Sequence, residues 1–94
     1  MVEVRWSPLA AADYESIINF YEKSAPKFAQ NFAKKIFYII ENLTQFPKMG
    51  RKVPESDNPN IREIIYRNFR IIYRLKKEII EIIRIVHGTQ ILKL

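Results

Sequence analysis

The opening residues alternate between apolar and charged side chains with a period of two, from Val2 to Trp6. This alternation predicts a β-strand with one buried face, on which Val2, Val4 and Trp6 point to the core. Ser7 and Pro8 follow. A hydroxyl residue suits a helix N-cap and a proline suits the first helical position. We therefore predict a short strand and then a helix.

Two amphipathic helices are predicted between residues 8 and 46, because apolar residues recur there at steps of three and four. A second start signal, Ser24-Ala25-Pro26, divides them. The apolar stripes comprise Ala10, Tyr14, Ile17, Ile18 and Tyr21 in the first helix, and Phe28, Phe32, Ile36, Ile39, Ile40, Leu43 and Phe46 in the second. The very short link between the helices predicts an antiparallel helical hairpin.

The remaining chain predicts a long loop and then strands. Pro47 and Gly50 end the second helix, and a loop runs to Asn60. Three runs rich in isoleucine, tyrosine and phenylalanine then cover residues 61–66, 69–75 and 79–86. They predict a three-stranded antiparallel β-meander, with Asn68 supplying the positive φ of its first turn. The fold class is thus α+β, in a single domain over residues 1–94 with an N-terminal strand, an antiparallel helical hairpin, a long loop and the meander.

The composition excludes several kinds of site. The 94 residues include no cysteine and one histidine, so we expect neither disulfides nor a conventional zinc or iron site. A domain of this size holds a modest core, and we expect no cofactor. The sequence shows no signal peptide and no apolar run long enough to span a membrane. We expect a cytoplasmic protein without membrane contact.

The positive charge is concentrated in one third of the chain. The formal net charge is +6, and residues 48–77 hold nine Lys or Arg against three Asp or Glu, while the rest of the chain is neutral. A clustered cationic surface indicates a polyanion or an acidic protein as partner. The alternative is that these charges merely solvate the surface.

Strand periodicity places the candidate binding residues. Within the second strand of the meander, Arg70 and Arg74 fall on the open side of the sheet, away from the helices. Cross-strand pairing could bring Arg62 to the same surface, and Arg84 could join it from the last strand. The alternative is a solvated sheet face. The complete set of predicted binding residues is Arg51, Lys52, Arg62, Tyr66, Arg70, Arg74 and Arg84.

Other side chains near this surface could carry chemistry. Arg51 and Lys52 could hold phosphate groups, and the ring of Tyr66 could stack on a base or only half-cover the sheet edge. Histidine suits proton transfer near neutral pH, which makes His87, at the rim, a candidate catalytic or structural residue. Glu55 and Asp57 could act as general bases or only make the loop more soluble.

Several short motifs follow one another along the chain: Trp6-Ser7, Ala10 with Asp13-Tyr14, Ile17 and Tyr21, Leu43 with Phe46-Pro47, Gly50-Arg51, Ile61-Arg62-Glu63, Phe69-Arg70-Ile71-Ile72-Tyr73-Arg74, and Ile85-Val86-His87-Gly88. In this order and spacing they resemble the RelE/ParE superfamily of toxins of type II toxin–antitoxin systems, over about residues 3–92. The resemblance implies the α+β fold described above. It also implies a growth inhibitor that is neutralised by a cognate antitoxin, whose acidic segment we expect over Arg62, Arg70 and Arg74.

The resemblance implies two alternative targets, since RelE-like members cut mRNA on the ribosome without a metal and ParE-like members bind DNA gyrase. By position, Arg70 and His87 match residues that serve catalysis in RNA-cleaving members, and Arg62 lies near their paired lysines. The late arginine and the C-terminal tyrosine of RelE have no counterpart here. A ParE-like gyrase inhibitor is therefore favoured. The alternatives are a ribosome-dependent mRNA endoribonuclease, with Arg70, His87 and Arg62 as catalytic residues, and a non-toxic nucleic-acid-binding module.

Overall fold

The computed structural model describes residues 2–90 and residue 92, which form two helices and five strands. In chain order these are β1 (Glu3–Trp6), α1 (Pro8–Ser24), α2 (Pro26–Gln45), β2 (Arg51–Lys52), β3 (Ile61–Tyr66), β4 (Phe69–Lys76) and β5 (Ile79–His87). The strands form one sheet in the order β1-β5-β4-β3-β2. None of the helices in this described part of the chain is long and apolar enough to cross a membrane.

The two helices form the expected antiparallel hairpin. The hydroxyl of Ser7 accepts a hydrogen bond from the backbone N–H of Ala10 at 3.0 Å and so caps α1. Only one residue separates the helices. Near the end of α1, the ring centroid of Tyr21 lies 4.4 Å from that of Phe28, near the start of α2. Earlier in α1, Tyr14 stacks on Phe32, which lies later in α2. The chain directions are therefore opposed.

The α+β class and the antiparallel pairing of β3, β4 and β5 are confirmed, and the sheet has two further features. β1 pairs with β5 in parallel, through Glu3–Trp6 and the first half of β5. β2 lies inside the predicted loop and pairs antiparallel with β3. A strand of two residues is too short to show a periodic pattern, so the sequence did not indicate it.

Both faces of the sheet are covered, although by different segments. The helical hairpin covers one face with a core of Ala10, Phe32, Ile36, Ile39, Leu43, Phe69, Ile71, Tyr73, Ile80, Ile82 and Ile85. A second, smaller core lies on the other face, where the loop residue Val53 and Leu92 near the C-terminus pack on Ile61, Ile72 and Val86. The expectation of an open sheet face is wrong over this part of the surface, because loop and tail bury it.

The turn between β3 and β4 also differs from the prediction. Tyr66 and Phe69 pair directly across it, so that Arg67 and Asn68 are its two central residues. The positive φ falls at Arg67, at 52°, and not at Asn68. Asparagine adopts a positive φ more easily than arginine does. The register of the two strands nevertheless makes Arg67 the first turn residue, and the positive φ falls at this position.

Candidate functional site

Arg70 is buried and its charge is neutralised by two carboxylates. It lies on β4, on the face away from the helices, and is 7% exposed, whereas Glu63 on β3 is 1% exposed. The Arg70 Nε donates to Glu63 Oε1 at 2.6 Å. The two terminal nitrogens of Arg70 donate to the two carboxylate oxygens of Glu55, each at 2.7 Å. The prediction that Arg70 looks out from an open face is wrong, because the loop residue Glu55 lies over it.

Arg51 extends this arrangement into a chain of alternating charges. Its Nε donates to Glu63 Oε2 at 2.5 Å, so the buried carboxylate of Glu63 is shared by two guanidinium groups. We call the four residues Arg51, Glu63, Arg70 and Glu55 the Arg70 network. Removing one member of such a network leaves a buried charge uncompensated. The free-energy cost of that loss is much larger than the net stabilisation that the intact network provides.

The ion pairs shift the pKa values of the groups they join. The hydrogen bonds from Arg70 lower the pKa of Glu55 from 4.5 to about 2. The same contact raises the pKa of Arg70, with a further contribution from Glu63. Glu55 is therefore a carboxylate throughout the neutral range. It is poorly suited to act as a general base, whose pKa should lie near the working pH.

Arg62 lies on the opposite face of the sheet from Arg70. Its partner across the β3–β4 pair is Tyr73, which belongs to the core under the helices. The Arg62 guanidinium donates to the carbonyl oxygen of Gly50 at 2.9 Å. The expected grouping of Arg62 with Arg70 is therefore wrong, because the register of β3 and β4 places the two side chains on opposite faces of the sheet. Arg62 instead holds the segment that follows α2.

Arg74 and Arg84 are engaged by acidic residues. Arg74 lies on the face of Arg70 but forms an ion pair with Glu81 at 3.4 Å. Arg84 does not reach that surface, since its Nε and terminal nitrogen donate to Asp13 on α1, at 2.7 and 3.1 Å. The expectation that Arg84 joins the basic face is wrong because a β-bulge in β5, opposite Ile72 and the residue after it, redirects the strand there.

Tyr66 and His87 lie at opposite sides of the β3–β4 turn. Tyr66 packs toward the helices, 6.1 Å from the ring of Phe32, so its ring is half-buried and does not belong to the Arg70 face. His87 ends β5 and is exposed. Its Nδ1 lies 2.9 Å from the hydroxyl oxygen of Thr89, and its ring meets the edge of Phe69 at 5.8 Å.

One cleft brings several of the predicted site residues together. It has a volume of about 460 Å³, and its lining includes Arg51, Glu55, Arg67, Arg70 and His87. We call it the charged cleft. The sequence identified Arg51, Arg70 and His87 as candidate site residues. It indicated Glu55 only as a general base or a solubilising residue, and it did not single out Arg67. Strand alternation could have placed Glu63 beside Arg70, because a two-residue turn at residues 67–68 puts both on the same face.

Two further surfaces lie apart from the charged cleft. Lys48 and Lys52 are exposed near the outer edge of the sheet, beside β2. A second cavity, of about 680 Å³, lies at the helical hairpin and is lined mainly by apolar side chains, among them Trp6, Tyr14 and Phe37. Among the described residues, no three His, Cys, Asp or Glu side chains are grouped so as to hold a metal ion.

A family model and a solved structure indicate the same family. The family model described as "ParE toxin of type II toxin-antitoxin system, parDE" matches residues 4–92. A chain of the chromosomal ParDE TA system from P. aeruginosa is 29% identical, with a TM-score of 0.73, and the match covers 93% of this chain and 96% of that one. No curated protein matches the chain at a significant level.

Two more distant structures share the fold. The YoeB/ParE toxin from Agrobacterium tumefaciens is 19% identical with a TM-score of 0.62, and the match covers 92% of this chain and 98% of that one. The YoeB dimer from Staphylococcus aureus is also 19% identical, with a TM-score of 0.63 and coverage of 88% and 92%. At this identity the likeness concerns the fold alone.

Proposed function

Because the chain belongs to the ParE toxin family of type II toxin–antitoxin systems, we propose that it inhibits growth by binding DNA gyrase, without cutting nucleic acid. Membership of this family implies a cognate antitoxin as partner. The choice between a binding toxin and an RNA-cleaving one depends on the side chains that an RNA-cleaving site would need. Both the gyrase and the ribosome would be met in the cytoplasm.

The saturation of Arg70 is the observation that carries this proposal. Metal-free cleavage of RNA needs a cationic group free to stabilise the charge that develops on the phosphate. Arg70 matches the catalytic arginine by position, yet its guanidinium already donates to Glu63 and, through both terminal nitrogens, to Glu55. In this conformation no edge of the Arg70 fork is left for a scissile phosphate.

His87 lacks the surroundings of a catalytic histidine. Its described side-chain partner is the hydroxyl of Thr89, which neither takes up a proton near neutral pH nor orients the ring as a carboxylate would. The acidic residue in the charged cleft, Glu55, is committed to Arg70. Proton transfer to and from a ribose would therefore depend on His87 alone. These contacts support a toxin that acts by binding its target better than one that cleaves RNA.

Production of the toxin without its antitoxin, followed over time, tests the target. We expect negative supercoiling of a reporter plasmid to fall before translation slows, and the purified toxin to inhibit gyrase in a supercoiling assay. His87→Ala should retain this inhibition, because the histidine is exposed and its contact with the core is limited to the edge of the Phe69 ring. Thermal unfolding of the variant serves as its folding control.

The two alternatives give different results in the same experiment. Cleavage of mRNA on translating ribosomes that His87→Ala abolishes, with supercoiling unchanged, would contradict the gyrase proposal and support a ribonuclease. A toxin that folds but changes neither supercoiling nor translation would leave the non-toxic nucleic-acid-binding module as the remaining interpretation.

We also propose a new position for the acidic segment of the antitoxin. The surface expected from the sequence does not exist as one face, since Arg62, Arg70 and Arg74 are divided between two faces and Arg70 is covered. Exposed cationic side chains remain at the β2 edge, at Lys48 and Lys52. An acidic segment placed along this edge would be attracted by charges that are not already neutralised.

A further inference from the structure

We propose that the charged cleft is a phosphate-binding site, and that Glu55 keeps it closed by occupying the edge of Arg70 that a phosphate would bind. The inference goes beyond the proposed function and does not depend on whether gyrase is the target. It concerns a ligand that enters when the loop carrying Glu55 moves away.

The lining of the cleft is chemically suited to an anion. Arg51, Arg70 and His87 line it, and Glu55 is the one acidic residue among the described side chains that line it. Arg67 also lines the cleft, but its guanidinium lies over the rings of Phe28 and Tyr66. Moving Glu55 out of the cleft would leave the guanidinium groups of Arg51 and Arg70 and the imidazole of His87 around a space of about 460 Å³. Guanidinium groups are the preferred protein partners of phosphate, because their planar fork matches its oxygens.

The contacts of Glu55 resemble those of a bound anion. Its two oxygens each accept a hydrogen bond from one terminal nitrogen of Arg70 at 2.7 Å, the bidentate geometry that carboxylates and phosphates share. One of these oxygens also faces the backbone N–H of Leu92 at 3.5 Å. The same donors would be available to phosphate oxygens if the carboxylate left.

The two carboxylates on Arg70 differ in how easily they could leave. Glu63 belongs to β3, and its side chain is fully buried. Glu55 belongs to the connection between β2 and β3, and its side chain is 25% exposed. If the loop moves, the contact with Glu63 remains and keeps the guanidinium oriented. The opened site would therefore be organised before a ligand arrives, and phosphate would compete only with Glu55.

Phosphate titrations of purified variants, without gyrase, ribosomes or antitoxin, test this inference. We compare the wild type, Glu55→Gln and Asp57→Asn, with inorganic phosphate and a short single-stranded oligouridylate as probes. Asp57→Asn makes the same charge change in the same loop, and Asp57 is exposed and forms none of the ion pairs found among the described residues. Calorimetry gives the affinity, and NMR of the Arg70 side-chain N–H gives the position.

Glu55→Gln should bind phosphate at least about tenfold more tightly than the wild type, because a charged competitor has been removed. Asp57→Asn should bind like the wild type. Preference of Glu55→Gln for inorganic phosphate would identify a free phosphate compound as the ligand, and preference for the oligouridylate would identify a nucleic-acid backbone. Equal affinity of all three proteins, or binding that leaves the Arg70 resonance unmoved, would overturn the inference.

A measurement on the wild type covers the case in which Glu55→Gln does not fold. The native protein should show a weak but saturable shift of the Arg70 side-chain N–H and of the Leu92 backbone N–H on phosphate addition. A shift that stays linear up to the solubility limit of phosphate would overturn the inference. Since no gyrase is present, failure here is distinguishable from failure of the proposed function.

Discussion

At Gly50 the chain passes so close to β4 that no side chain fits. The backbone N–H of Gly50 donates to the hydroxyl of Tyr73 at 2.9 Å, and that hydroxyl donates to the carbonyl of Pro47 at 2.9 Å. Burial raises the pKa of Tyr73, which favours the protonated hydroxyl that donates to Pro47. A Cβ on Gly50 would lie 2.6 Å from the Tyr73 oxygen and 2.7 Å from the backbone oxygen of Glu63.

Gly50→Ala should therefore destabilise the protein by about 1–3 kcal/mol, because overpacking forces the segment off Tyr73. For a domain of this size that corresponds to a fall in Tm of roughly 4–8 °C per kcal/mol. Gly88→Ala is the matched control, since its Cβ would meet its nearest neighbour, a backbone oxygen of Asn68, at 3.2 Å. Thermal unfolding measures both, and an equal loss would contradict the explanation.

At the scale of elements, α1 completes an edge of the sheet that β1 leaves open. β1 pairs with β5 only as far as Ile82. Beyond that point, the hydroxyl of Ser7 donates to the carbonyl of Ile83 at 2.9 Å, and the backbone N–H of Ile85 donates to the Asp13 carboxylate at 3.0 Å. Side chains of the helix and of its cap thus satisfy backbone groups that a strand would otherwise bind.

Asp13→Asn should loosen the second half of β5. Asp13 Oδ2 accepts from both Arg84 Nε and the backbone N–H of Ile85, and Oδ1 accepts from the terminal nitrogen of Arg84. In asparagine one of these oxygens becomes an NH₂ group that faces an N–H donor, and the charge that holds Arg84 is lost. We expect a loss of about 1–3 kcal/mol and faster amide hydrogen exchange at Ile85. Glu22→Gln, an exposed position on the same helix, is the control. Unchanged exchange at Ile85 would show that the carboxylate is not needed there.

At the scale of the whole molecule, the excess positive charge does not form one surface. The +6 of the sequence lies in residues 48–77, yet in the fold these residues occupy both faces of the sheet and its β2 edge. Arg51, Arg70 and Arg74 are paired with acidic residues. The field that a distant anionic partner meets therefore depends most on exposed lysines such as Lys52 at the β2 edge.

Lys52→Glu should slow association with the cognate antitoxin by about tenfold at low salt and reduce the salt dependence of the rate. Lys34→Glu makes the same charge change at an exposed position on α2 and should have a much smaller effect. Stopped-flow association over a range of salt concentrations measures both. Equal slowing by the two variants would mean that net charge, and not the β2 edge, attracts the antitoxin.

Most of the fold could be predicted from the sequence, because its signals are local. Periods of two and 3.6 residues located β1 and the two helices, and runs rich in isoleucine, tyrosine and phenylalanine located β3, β4 and β5. The Ser7-Pro8 and Ser24-Ala25-Pro26 signals located the helix starts. β2 was missed because two residues carry no period. The positive φ at Arg67 was assigned to its neighbour because the register across a turn depends on both strands.

The candidate site was predicted less well, because it depends on contacts between distant parts of the chain. The sequence alone determined the α+β class, the family likeness and the amount of positive charge, since each follows from which residues are present and how they are spaced. Only the tertiary structure decided that Glu55 and Glu63 converge on Arg70 and that Arg62 faces the other way. A one-residue change of register moves a side chain to the opposite face, and a loop position is fixed by what it packs against, so neither could be deduced from local spacing.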